Sequence, residues 1–188
     1  MTTATLTAAP TSAPWLIDTA HTEVEFSVRH LMISNVKGRF GQVAGTVAYD
    51  PARPGPLALD VTIPVATIDT REEKRDAHLR SADFFDAEKH PVMTFKGKRV
   101  EGDVNHQFTL WGDLTIRGTT REVALDVTLE GKGNDPWGNE RLGYSATGKI
   151  DRRDFGLVYN MALETGGVVV GEQVKLSINT ELTRPLNA

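Results

Sequence analysis

Phe108-Thr-Leu-Trp-Gly-Asp-Leu-Thr-Ile116-Arg-Gly-Thr-Thr-Arg-Glu-Val123-Ala-Leu-Asp-Val-Thr-Leu129 is the stretch that decides the fold class. Phe108, Leu110, Leu114 and Ile116 share one parity, and Thr109, Trp111, Asp113 and Thr115 share the other. After Arg117-Gly118-Thr119-Thr120 the alternation resumes with Val123, Leu125, Val127 and Leu129. A period of two with one apolar parity is the pattern of a strand with one buried face. So short a connection makes the two strands antiparallel neighbours.

The same pattern extends in both directions. Val24, Phe26 and Val28 form one run, and Val43, Val47 and Tyr49 the next. Leu57, Leu59, Val61, Ile63 and Val65 form a third, and Met93 with Phe95 opens a fourth. Beyond the central hairpin come Leu142, Tyr144, Ala146 and Ile150, then Val174, Leu176, Ile178 and Leu182. That makes eight runs. Only one segment reads as helix. Thr70 and Glu73 have the spacing of a capping box, with Thr70 as N-cap, and residues 71–82 lack Gly, Pro and β-branched side chains. Ala77, Leu79 and Ala82 give that helix a narrow apolar stripe, too thin to cover a sheet. The apolar strand faces must therefore cover one another, in a sandwich or a closed barrel. The expectation is an all-β, eight-stranded antiparallel barrel with one short helix at about 71–82. Gly45, Gly112 and Gly148 share the inward parity. They mark either barrel corners or room left for a ligand.

Composition narrows the function. The chain has 188 residues and no cysteine, which excludes disulfides, Cys-ligated zinc, iron–sulfur clusters and thiol catalysis. Lys and Arg number 21 against 25 acids, a net charge of −4, which gives no cationic field for nucleic acid. No apolar run approaches the roughly 20 residues of a membrane span. Residues 1–14 are mostly Thr, Ala, Pro and Ser, without the basic and apolar regions of a secretory signal. They read as a disordered tail before a single domain at 15–188, and the expected compartment is the cytoplasm.

Few motifs suggest chemistry. Gly143 to Lys149 has the spacing of a phosphate-binding loop, but Ile150 follows where Ser or Thr would hold magnesium, and the segment lies inside a strand pattern. Asp18 with His21, or Asp76 with His78, could contribute to a metal site assembled by the fold. His30 continues the parity of Val24, Phe26 and Val28. It is either a satisfied interior histidine or a polar contact at the mouth of an apolar cavity. Arg152-Arg153-Asp154 is either a charged strand end with an internal ion pair or an anion-facing arginine at a barrel rim. Phe84, Phe85, Met93 and Phe95 either pack under the helix or line a tunnel.

Seven blocks, in order, carry a resemblance. They are Trp15-Leu-Ile-Asp18-Thr-Ala-His21 with Val24-Glu-Phe-Ser-Val-Arg-His30-Leu31; Val36-Lys-Gly38-Arg-Phe40; Asp76-Ala-His78-Leu79-Arg80-Ser81-Ala-Asp83-Phe84-Phe85-Asp86; His90-Pro91-Val-Met-Thr94-Phe95; Gly112-Asp-Leu-Thr-Ile-Arg-Gly118-Thr-Thr; Ile150-Asp-Arg152-Arg-Asp154-Phe155-Gly156; and Val170-Gly171-Glu-Gln-Val174. The sequence resembles the YceI-like family of polyisoprenoid-binding, lipocalin-like proteins from about residue 15 to 183. The resemblance implies a lipocalin-like barrel around a long apolar pore. It implies a ligand such as an isoprenoid quinone, a polyprenyl phosphate or a fatty-acid derivative, held for storage, transport or sequestration, and it implies homodimers. The residues expected to contact ligand are Phe26, Val28, His30, Leu31, Phe40, His78, Leu79, Phe84, Phe85, Phe95, Arg152 and Phe155. No catalytic residue, cofactor or metal ligand is assigned. The alternatives are an enzyme acting on an isoprenoid, for which His30 and Arg152–Asp154 speak, and an interaction module whose barrel is filled by its own side chains.

Overall fold

A computed structural model describes residues 13–48, 58–162 and 168–186. Most of the expected tail, Tyr49, Leu57 and the Pro51–Pro56 turn lie outside the described residues. In chain order the strands are β1 (Trp15–Ile17), β2 (Glu23–His30), β3 (Ser34–Phe40), β4 (Ala44–Ala48), β5 (Ala58–Pro64), β6 (Val92–Gly102), β7 (Gln107–Ile116), β8 (Thr119–Asn134), β9 (Asn139–Asp151) and β10 (Val170–Pro185). One helix, α1 (Glu73–Arg80), stands between β5 and β6. None of the described helices is long and apolar enough to cross a membrane.

Ten strands make eight staves. β1 and β2 are two halves of one stave, since both pair antiparallel with β10, through Ile17↔Leu182 and then Glu23↔Asn179 onward. The stave breaks at Asp18, whose side chain accepts a hydrogen bond from the Ala20 N–H and so stops one 3-10 turn short of β2. β3 and β4 are halves of the next stave: β3 pairs with β2, and β4 with β1 and β5. Here the break falls beside Gln42, at φ 55. From β4 to β10 each strand pairs antiparallel with the next, and the β1–β10 pairing closes the ring. The eight-stranded antiparallel barrel with one helix is thus observed. The sequence runs missed the two half-staves β1 and β3 because three residues show no period, and because β3 reads Ser-Asn-Val-Lys-Gly-Arg-Phe with only two large apolar side chains.

The staves differ at their ends. β4 closes the sheet onto β1, whereas β3 has only one strand partner. Its other edge meets the chain just before α1, through paired backbone hydrogen bonds between Arg39 and Asp69. The helix and the segment after it occupy this split. Phe85 reaches the β3 residue Phe40 edge-on at 5.8 Å, and Phe40 meets Phe26 at 5.6 Å with the rings tilted by 40°.

The helix begins later than its sequence implied. Arg71 has φ 63, which ends any helical start at 71. Glu72 is the N-cap, accepting from the N–H groups of Lys74 and Arg75. Thr70 is no cap. It is buried, and its N–H (2.9 Å) and hydroxyl (2.5 Å) both donate to Asp76 Oδ1. The glycines also resolve. An added Cβ on Gly112 would lie 2.3 Å from the Phe95 ring, and one on Gly38 would lie 2.4 Å from the Phe26 ring. Of the three glycines on the inward parity, Gly112 seats the Phe95 ring, Gly45 lets the Asp60 carbonyl approach, and Gly148 makes room for the Leu125 side chain, so each gap is closed by a neighbour and not left for a ligand.

Candidate ligand-binding cavity

The inward parities of all ten strands surround one cavity of about 310 Å³. On β9 its lining runs from Leu142 to Ile150. Eight residue steps span about 27 Å of strand, or about 20 Å along the barrel axis at the usual tilt. The wall is almost wholly aliphatic and aromatic. Besides the Trp15 indole, polar side-chain atoms come from Thr22, Tyr144, Thr180 and Arg152. Thr22 and Thr180 hydrogen-bond each other at 2.9 Å.

Of the twelve residues expected at the site, Phe26, Val28, Phe40, Leu79, Phe84, Phe85, Phe95 and Arg152 line this cavity. Four do not. His30 pairs with Ser34 and Val170 at the very end of β2, where Val170 lines the cavity and His30 does not. Leu31 lies past the strand in a turn at φ 51. His78 sits on the outer side of Phe84 and Tyr159, with ring centroids 5.1 and 4.9 Å away, and its Nε2 meets Asp83 Oδ2 at 2.8 Å. Phe155 is 1% exposed but packs in the core behind the wall. Sequence reasoning passed over Tyr144, Val174, Leu176 and Ile178, although they stand on the inward parity of runs it had already found. Leu157 and Val170 belong to an irregular connection and its strand join, where no period signals them.

Arg152 is the one fully charged group of the wall. It is 4% exposed. Its Nε donates to Gly171 O at 2.8 Å, one terminal nitrogen to Leu157 O and to Tyr159 O, and the other to Val170 O at 3.2 Å. Burial pushes its pKa down, opposed by the charges of Asp151 and Glu172. Those two carboxylates are ion-paired to Arg153 at 2.6 and 2.8 Å. The ion pair of this segment therefore belongs to Arg153, and Arg152 is an interior residue instead of one on an exposed rim.

At the far end, Asp18, His21 and Glu181 hold potential metal-ligand atoms within 4.8 Å of one another. Arg141 already occupies the middle, donating to Asp18 at 2.7 Å, Glu181 at 2.9 Å and Asp135 at 2.8 Å. Its hydrogen bond, then that of His21, holds the Asp18 carboxyl down at about 2. Burial works against ionisation of Asp135, but bonds from Asn139 and Arg141 hold its pKa well below the usual range. The guanidinium supplies the cation here. Asp76 faces Thr70 and His78 faces Asp83, so that expected pair is not assembled.

A YceI-like domain model matches residues 15–182. A UPF0312 protein of Staphylococcus aureus is 39% identical over 167 residues, covering 88% of this chain and 95% of its own length. The crystal structure of a Campylobacter jejuni YceI protein superposes with a TM-score of 0.70 at 37% identity, covering 82% of this chain and 88% of that one. A polyisoprenoid binding domain from Saccharophagus degradans, implicated in plant cell wall breakdown, shares the fold at a TM-score of 0.64 and 15% identity, over 91% of this chain and 98% of that one. Matched along nearly its whole barrel and over most of its relatives' length, this chain belongs to the YceI-like family.

Proposed function

We propose that this protein binds a long apolar molecule, an isoprenoid or fatty-acid-type chain, inside the barrel and carries, stores or sequesters it. The observation that carries the reading is the nearly unbroken apolar wall, running about 20 Å along the axis by the strand estimate above. The polyisoprenoid binding of the Saccharophagus domain named above speaks for the same ligand class. Each buried methylene contributes about 0.8 kcal/mol, and ordering the chain offsets part of that. A wall of this chemistry selects length and girth more than identity, since one methylene changes discrimination by about 1–3 kcal/mol.

The enzyme reading has lost one of its supports, because His30 stands outside the cavity. The filled-barrel reading has the free volume against it. Organic extraction of the purified protein followed by mass spectrometry tests binding directly. A co-purifying long-chain lipid, or uptake of added isoprenoid, is the expected result. Repeated absence of both sinks the proposal. Val28→Trp separates a pore from a packed core. A pore loses ligand capacity while the fold persists, whereas a packed core loses stability through overpacking.

A further inference from the structure

Among the described residues eight large apolar side chains stand exposed, and four of them belong to one end of the barrel. Met32 and Ile33 sit in the β2–β3 turn, and Val158 and Met161 on the connection that leads into β10, each between 50% and 77% exposed. Backbone bonds join the two segments: the Leu31 N–H donates to Val169 O at 2.8 Å, and the Val169 N–H to Met161 O at 3.0 Å. The turn is strained. Leu31 has φ 51 and Met32 φ 62, the left-handed conformation that Asn and Gly adopt most easily in a hairpin. Burial does not offset that strain, since Met32 and Ile33 face solvent.

Behind this apolar tip the outer face of the sheet is cationic, in a chain whose net charge is −4. From Phe26 to Ala48 there is no Asp or Glu. Lys37, Ser27 and Lys175 are cross-strand neighbours on β3, β2 and β10, and Lys175 stands directly opposite Lys149 on β9. Arg29 lies two residues nearer the turn, its Nε donating to Met32 O at 3.1 Å. Among the described residues none of these four cations is ion-paired. Glu25 stands one row further from the turn. Like charges directly opposite destabilise a sheet, so an anion from outside relieves the two lysines.

We infer that this end docks on the surface of an anionic phospholipid bilayer. The turn enters between head groups, and Arg29 with the three lysines faces their phosphates. The tip offers an apolar area on the order of a few hundred Å², short of the about 800 Å² that each partner buries in a stable protein pair. A bilayer needs no complementary surface. Buried apolar area and attraction to acidic lipids together set the strength of such attachment. The inference does not depend on what fills the barrel.

Co-sedimentation of the full-length protein with vesicles of phosphatidylcholine, with and without phosphatidylglycerol, tests it. Binding is expected with phosphatidylglycerol and should weaken as salt rises. Ile33→Asp is expected to lower it by about tenfold or more, and Lys175→Gln by about fivefold, the share of one cation near the surface. Trp137→Asp, on the exposed β8–β9 turn at the opposite end, should leave it unchanged. Met32→Asn should raise the urea midpoint by easing the left-handed turn while binding falls; a merely structural turn moves only the midpoint. No binding to either vesicle overturns the inference, as does a loss that follows Trp137 instead of Ile33. A dimer in sedimentation velocity that Ile33→Asp splits, without vesicle binding, makes the tip a self-interface and overturns it too. Should Ile33→Asp not fold, Ile33→Trp decides: its emission shifts to the blue on vesicles if the turn enters the bilayer, and an unchanged emission overturns the docking.

Discussion

Arg141 stands near the start of β9 and Arg152 directly after its end, so two guanidiniums mark the two ends of one barrel. Arg141 is met by three carboxylates and its side chain keeps 25% exposure. Arg152 is met by carbonyls and is nearly sealed. The backbones differ in the same sense. At the Arg141 end β1 bridges β4 and β10 and the ring is complete. Toward the Arg152 end β3 leaves the sheet unclosed, and α1 with its following aromatics fills the split. A charge network complete within the protein acts as a clasp. At the Arg152 end the carboxylates pair with Arg153, and the buried guanidinium is held by backbone carbonyls instead.

The largest expected effect comes from removing the sealed charge. Arg152→Met takes the donors from four carbonyls, three of them in the irregular connection and its join to β10. Unsatisfied buried acceptors cost about 1–3 kcal/mol each before relaxation, so a loss of about 3 kcal/mol or more is expected in urea unfolding. Arg141→Met frees carboxylates that water can reach, and its midpoint should move less. Equal losses would break the contrast between the two ends.

Next in size is Asp76, the buried carboxylate that ties α1 to Thr70. Asp76→Ala strands the Thr70 N–H and hydroxyl, at about 1–3 kcal/mol. Hydrogen exchange should then speed up across residues 65–90 ahead of global opening. The β1, β9 and β10 amides around Arg141 should keep their protection. Exchange that rises uniformly would mean the two ends unfold as one unit.

The clasp has its own signature in acid. Asp18 is held from 3.8 down to about 2, first by Arg141 and then by His21. A depressed carboxylate contributes stability that is fully present above about pH 4 and is lost as pH falls through 2. The unfolding midpoint should therefore drop over that window, and the drop should be shallower in Arg141→Met. Comparing variant with parent removes the low carboxylates that Arg141 does not touch, Asp69, Asp151 and Glu122, and leaves Asp18 together with Asp135. Parallel curves would show that Arg141 sets the titration of neither Asp18 nor Asp135.

What could be read from the sequence follows from period. Long strands with clean alternation, β7 to β10, declare both their existence and their inward parity, and Leu114, Leu125, Ala146 and Leu176, each on the apolar parity of its run, all face the cavity. Where the period breaks, the reading failed in step with it. His30 keeps the parity of Val28 but sits at the last residue of β2, where the cavity lining has ended on that strand, an end that alternation does not mark. Gly38 and Gly112 share the inward parity, but whether a gap is filled depends on a ring from the next strand, which alternation does not encode. The distinction between Arg152 and Arg153 is of the same kind. Adjacent in sequence and identical in type, they part because the chain turns through a 3-10 turn (Arg152–Phe155) that sends the first inward and leaves the second on the surface.

The smallest expected effect separates two accounts of the α1 start. The sequence spacing made Thr70 the cap, whereas Glu72 is the residue whose carboxylate receives the Lys74 and Arg75 N–H groups. Glu72→Ala should cost about 1 kcal/mol, the usual value of a lost N-cap. It should also accelerate exchange at the Lys74 and Arg75 amides. Thr70→Ala should leave those two amides protected, because it acts through Asp76, one turn further along. Glu72→Ser, a shorter side chain of better capping type, should restore most of the loss. Protection at Lys74 and Arg75 that follows Thr70 instead of Glu72 would return the cap to Thr70. The Arg71 backbone, at φ 63, would then have to be helical in solution.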